Sequence, residues 1–105
     1  MALLQRLPVS ETELSEFCGR WKIAKLELFG SMLVDPARAR DIDLLVTFAK
    51  DAKWGLFDHE RMQNELAELF GQRVDLTTRR AVELSRNAIR RDAILGSAVP
   101  VYVAG

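Results

Sequence analysis

Asp41-Ile42-Asp43-Leu44-Leu45-Val46-Thr47-Phe48 is the stretch on which the fold of this chain turns. Residues two apart on an extended strand point to one face. Asp41 and Asp43 therefore project together, leaving Ile42, Leu44 and Val46 to pack on the other side. Carboxylates held side by side repel, and each resists ionisation. A divalent cation relieves that repulsion. Hard oxygen ligands suit Mg²⁺, which keeps some waters and recruits substrate phosphates to fill its octahedron. An Asp-rich strand entry, with Asp41 only capping a loop, has the same local sequence, so the flanking segments decide between the two.

Upstream, Leu26 and Leu28 alternate with Lys25 and Glu27, which predicts a strand over 23–29 ending at Gly30-Ser31. Glycine lets a phosphate approach the backbone, and a serine opening a helix offers a hydroxyl and an amide where the helix dipole favours anions. Alone, a Gly-Ser pair is most often just a turn. Ser31-Met32-Leu33-Val34 reads as the start of a short helix that Pro36 must soon end. Downstream, Asp75 is centred in Arg73-Val74-Asp75-Leu76-Thr77, an otherwise apolar strand pattern. A charge there needs a partner or a metal. Arg73, Arg79 or a solvent-facing edge are the bland answers. If this strand lies beside the Asp41–Phe48 strand, Asp75 joins the pair, and three carboxylates make a site for two cations flanking an in-line displacement at phosphorus.

The remaining pattern supplies the frame. Ser10 and Glu13 have capping-box spacing, which predicts a helix over 11–20 stopping near Gly19. Leu56–Phe70 carries apolar residues at helical spacing, with Asp58 as expected N-cap and Gly71 as C-cap. A helical pattern from Thr78 to about Gly96, broken near Ser85, precedes a short strand at Val99–Val103 that Pro100 confines to an edge or a strand start. Helices and short strands thus alternate, an α/β (α+β) class with one small sheet.

Composition sets bounds. The chain has 105 residues, 15 Lys plus Arg, 15 Asp plus Glu and 49% apolar residues. That is the size of a single domain, 1–105. A zero net charge gives no bulk field for DNA, so no direct DNA binding is expected. One cysteine excludes an internal disulfide, and no apolar run approaches the roughly 20 residues of a membrane span. With no signal-peptide pattern at the start, a cytoplasmic location is expected. Cys18 reads as a small core hydrophobe, Trp21 and Trp54 as core anchors, His59 as a surface residue, and the Arg-rich stretch Arg79–Arg91 as a solvated helix face able to steer acidic partners.

Taken together, Leu28-Phe29-Gly30-Ser31, Asp41-Ile42-Asp43-Leu44-Leu45-Val46 and Val74-Asp75-Leu76 resemble the minimal nucleotidyltransferases (MNT proteins) of the DNA polymerase β-like nucleotidyltransferase superfamily. The resemblance implies a small mixed β-sheet flanked by helices, two Mg²⁺ ions, and ATP as the usual nucleoside triphosphate. By position it implies that Gly30 and Ser31 hold the β- and γ-phosphates and that Asp41 and Asp43 ligate the metals. Asp75 would complete the catalytic metal's shell and help activate the acceptor. It further implies an antitoxin that transfers AMP to a protein hydroxyl, a tyrosine in some members, of a HEPN-family ribonuclease toxin. The short chain leaves little room for an acceptor-binding domain of its own, so a hetero-oligomer with that partner, or a homodimer, is expected. Members usually follow Gly-Ser with Arg-Ala-Arg-Gly and place Ser before the first Asp. Here Met32-Leu33-Val34-Asp35 and Arg40 stand in those places, with Arg38 and Arg40 the nearest basic residues. That departure raises the alternative of a non-catalytic antitoxin that acts by binding alone.

Overall fold

Ser10 opens the first helix as its sequence predicts. Its hydroxyl accepts the Glu13 amide at 3.1 Å, and the Glu13 carboxylate returns to the Ser10 amide at 3.4 Å. The computed structural model describes residues 9–30 and 41–104. Within them run α1 (Glu11–Arg20), β1 (Ile23–Phe29), β2 (Asp41–Phe48), α2 (Leu56–Phe70), β3 (Arg73–Thr78), α3 (Arg79–Glu83), α4 (Ala88–Ser97) and β4 (Val99–Val103). The short helix expected from Ser31 falls outside the described residues.

The strands form one mixed sheet in the order β3-β2-β1-β4. β1 pairs antiparallel with β2 and β4, and β2 pairs parallel with β3. β4 is an edge strand, where Pro100 needs no ladder partner for its missing N–H. One face of the sheet presents Leu26, Leu28, Ile42, Leu44, Val46, Val74 and Leu76 to the buried stripes of α1 (Leu14, Phe17, Cys18) and α2 (Met62, Leu66, Phe70). This is the core. Trp21 and Trp54 anchor its rim edge to face, ring centroids 5.0 Å apart, and the Trp54 Nε1–H donates to the Trp21 carbonyl at 2.7 Å. Among the described residues no helix is long and apolar enough to cross a membrane.

β3 lies at the other edge, and α2 covers it. The Leu76 amide donates to Gln63 Oε1 at 2.8 Å, and His59 Nε2 meets the Leu76 carbonyl at 2.6 Å. Two side chains one helical turn apart thus satisfy the outward polar groups of an edge strand. His59 is therefore no surface residue: it is half-buried and pins α2 to β3.

One capping expectation is corrected. Gly55, not Asp58, is the N-cap of α2; Asp58 sits at the third helical position and its carboxylate reaches back to the Gly55 amide at 3.0 Å. Gly71 closes that helix in the left-handed conformation, as expected. α1 covers the expected 11–20, with Trp21 as its cap. The Thr78–Gly96 pattern breaks near Ser85, as expected, into two helices, because Ser85 and Asn87 divert the backbone. Ser85 Oγ accepts the Asn87 amide at 3.2 Å, and Asn87 Oδ1 accepts the Arg90 amide at 3.1 Å to start α4.

Candidate functional site

Register builds the site. Across the sheet, Phe29 of β1 pairs with Asp43 of β2, and Asp43 pairs with Asp75 of β3. Residues in register share a face, so Phe29, Asp43 and Asp75 form one row on the side away from the core. Asp41, two residues earlier, lies on the same side, opposite Arg73. Ile42, Leu44, Val74 and Leu76 on the reverse face are buried, which locks this orientation. Asp75 is exposed, and Asp41 and Asp43 are half-buried.

The turn after β1 is fitted to this row. Gly30 has φ +81°, a left-handed conformation that favours glycine, and a Cβ there would run into the Asp43 carboxylate. Glycine thus keeps the backbone close to Asp43. Ser31, Arg38 and Arg40 lie outside the described residues.

Electrostatics follow from crowding. Burial pushes the Asp43 carboxyl above its ordinary range, and the neighbouring charges of Asp75 and then Asp41 push it further. Arg90 of α4 opposes them. Among the described residues no three His, Cys, Asp or Glu side chains come together so as to hold a metal ion by themselves. A row of crowded oxygen donors beside an open turn instead fits a hard divalent cation held by one or two carboxylates, its other positions left to water and phosphate.

α3 and α4 cover the rest of this face. Leu45 and Glu27, neighbours in the β1–β2 register, lie beneath them, and Glu27 is only 4% exposed. Its Oε1 accepts from Arg79 Nη1 at 2.7 Å, with Lys25 Nζ at 3.6 Å. Arg79 also approaches Glu83 at 3.4 Å. The Arg79–Arg91 stretch is therefore not simply a solvated face. Arg79 closes a buried ion pair, and Arg90 and Arg91 line a cleft of about 190 Å³ with Phe29, Thr77 and Ile94. Sequence reasoning missed Glu27, Thr77 and Arg90. The one available signal was Leu45 within Leu44-Leu45-Val46, since consecutive apolar residues in a strand mean that both faces are covered.

The model of the family described as "Nucleotidyltransferase domain" matches residues 11–95. A solved structure described as that of a candidate minimal nucleotidyltransferase is similar at 32% identity and TM-score 0.64, covering 86% of this chain and 87% of that one. A toxin–antitoxin structure with AMP-PNP is similar in fold at 18% identity and TM-score 0.66, covering 91% of this chain and 75% of the other. So is a complex of tri-AMPylated Shewanella oneidensis HEPN toxin with its MNT antitoxin, at 19% identity and TM-score 0.60, covering 90% and 70%. No curated protein matches the chain.

Proposed function

This chain belongs to the nucleotidyltransferase domain family, and from that premise we propose that it transfers a nucleoside monophosphate, AMP from ATP, to a hydroxyl on a HEPN-type toxin and so acts as its antitoxin. The single observation that carries the reading is the row of Asp43 and Asp75 in register on parallel strands, with Asp41 on the same face and the backbone of Gly30 held against it. The similar fold of an MNT antitoxin bound to tri-AMPylated HEPN toxin supports the choice of partner and acceptor.

Asp41, Asp43 and Asp75 would hold Mg²⁺, and Gly30 with Ser31 would take the β- and γ-phosphates. When bound, the ions supply charge that offsets the phosphates and the developing oxyanions. The chain does the rest by position. The acceptor oxygen forms its bond to the α-phosphorus as the bond to the β-phosphate oxygen breaks and pyrophosphate leaves. Asp75, the most exposed carboxylate of the row, would receive the hydroxyl proton.

α-Labelled ATP, Mg²⁺ and the HEPN partner test this directly. Label should appear on the partner with wild type and be lost with Asp43→Ala; equal transfer by both overturns the proposal. One sequence feature favours a second reading, a binding-only antitoxin: Met32-Leu33-Val34-Asp35 stands where relatives carry arginines. In that case Asp43→Ala still neutralises the toxin, and the complex forms without ATP.

A further inference from the structure

The cleft beneath α4 opens directly beside the carboxylate row, since its wall residue Phe29 is the register neighbour of Asp43. Ile94 and Val82 extend the apolar wall, and Thr77 adds a hydroxyl. At about 190 Å³ it is smaller than the roughly 300–1,000 Å³ of sites that enclose a whole drug-sized ligand, so it takes a part of a nucleotide.

Its two arginines are not equivalent. Arg91 is committed to the fold: Nη1 donates to the Ser85 carbonyl at 3.3 Å and Nε to Asp92 at 3.1 Å. The Arg90 side chain is exposed and makes no hydrogen bond or ion pair among the described residues. It lines the same cleft as Phe29, the register neighbour of Asp43. A guanidinium fork matches phosphate oxygens two at a time, and Arg90, unpaired among the described residues, suits an anion arriving with its own cation.

We infer that Arg90 is a nucleotide-positioning residue, its guanidinium gripping the phosphates of the nucleoside triphosphate while Phe29 and Ile94 wall the cleft that takes the base. The inference rests on the proposed nucleotidyl transfer and adds the cation and the base site to it. The phosphates then lie over the Asp43–Asp75 row and the base under α4, with Arg90 between them.

Calorimetric titration of the full chain with Mg²⁺ and a non-hydrolysable ATP analogue tests it. Arg90→Ala should weaken binding roughly ten- to hundredfold, the scale of a hydrogen bond to a charged group, with an unchanged melting temperature. Arg90→Lys should recover part of the loss, since it restores the charge without the fork. Arg86→Ala, an exposed charge on the same stretch, should stay within about twofold. Ile94→Trp, which fills the cleft, should also weaken binding. Arg90→Ala binding like wild type, or Arg86→Ala falling as far as Arg90→Ala, overturns the role of Arg90. Unchanged affinity in Ile94→Trp overturns the base site. A wild type that binds the analogue without transferring label sinks only the transfer reaction, whereas one that binds no analogue sinks both.

Discussion

The Asp43 carboxylate occupies the space into which a side chain at Gly30 would have to grow. The turn after β1 and the central carboxylate of β2 are therefore one fitted pair. Gly30→Ala must both adopt a left-handed backbone, at about 1–2 kcal/mol, and displace Asp43. Urea unfolding should show a loss of at least that size, and label transfer should fall with it. A variant that keeps full stability would show that the turn has another way to settle.

Asp43→Asn should separate stability from activity. The Asp43 carboxyl titrates above its ordinary range in the folded chain. The folded state thus binds more protons than the unfolded state between the two values, and wild-type stability falls as pH rises through that window. Asn carries no charge to repel Asp75 and Asp41. At neutral pH its melting temperature should exceed that of wild type by up to a few degrees, with the gap closing as pH falls below the ordinary carboxylate range. Added Mg²⁺ should reverse the order by stabilising wild type alone.

The Glu27–Arg79 pair should respond asymmetrically. Arg79→Met leaves the Glu27 carboxylate buried with, among the described residues, only Lys25 at 3.6 Å, and should cost about 2–4 kcal/mol in urea unfolding. Glu27→Leu leaves Arg79 a quarter exposed with Glu83 in reach at 3.4 Å, and should cost less. The double variant should be closer to wild type than Arg79→Met is. Equal losses in both single variants would contradict this account.

Gln63→Ala removes the acceptor for the buried Leu76 amide and should cost about 1–3 kcal/mol, the penalty of an unpaired buried donor. His59→Ala should act in the same direction through the Leu76 carbonyl. Both lie near β3, so Asp75 should lose protection in hydrogen exchange alongside Leu76 if α2 holds that edge.

The Cys18 thiol, buried and pushed up to about 12 by that burial, should resist thiol reagents at neutral pH. Modification should follow global unfolding and accelerate in denaturant. Rapid labelling of the native chain would place Cys18 outside the core.

Much of the frame was legible because its signals are local. Ser10 with Glu13, Gly71 after Phe70, and Pro100 in the last strand each act within a few residues, and each sits where its chemistry requires. Asp43 and Asp75 were legible as charges out of place among apolar neighbours, although only the β2–β3 register brings them abreast. What escaped reading was non-local. Glu27 looked like the polar side of an alternating strand, yet Arg79, 52 residues away, and the cover of α3 and α4 bury it. His59 beside Asp58 and Glu60 looked solvated, yet its partner is a backbone carbonyl on β3. Asp58 has the residue type of a cap, yet the bond it makes puts it three positions inside.

Parallel pairing in register has a metrical consequence. Asp43 and Asp75 hang from adjacent rungs of one ladder, so the strand repeat of about 4.8 Å fixes the distance between their backbones before any ligand arrives. An incoming ion meets a gauge already cut, and little conformational freedom is left to lose on binding. The gauge also cannot be reset locally. A longer acid at either position changes the reach but not the spacing, and widening the gap means parting the edge strand β3 from β2.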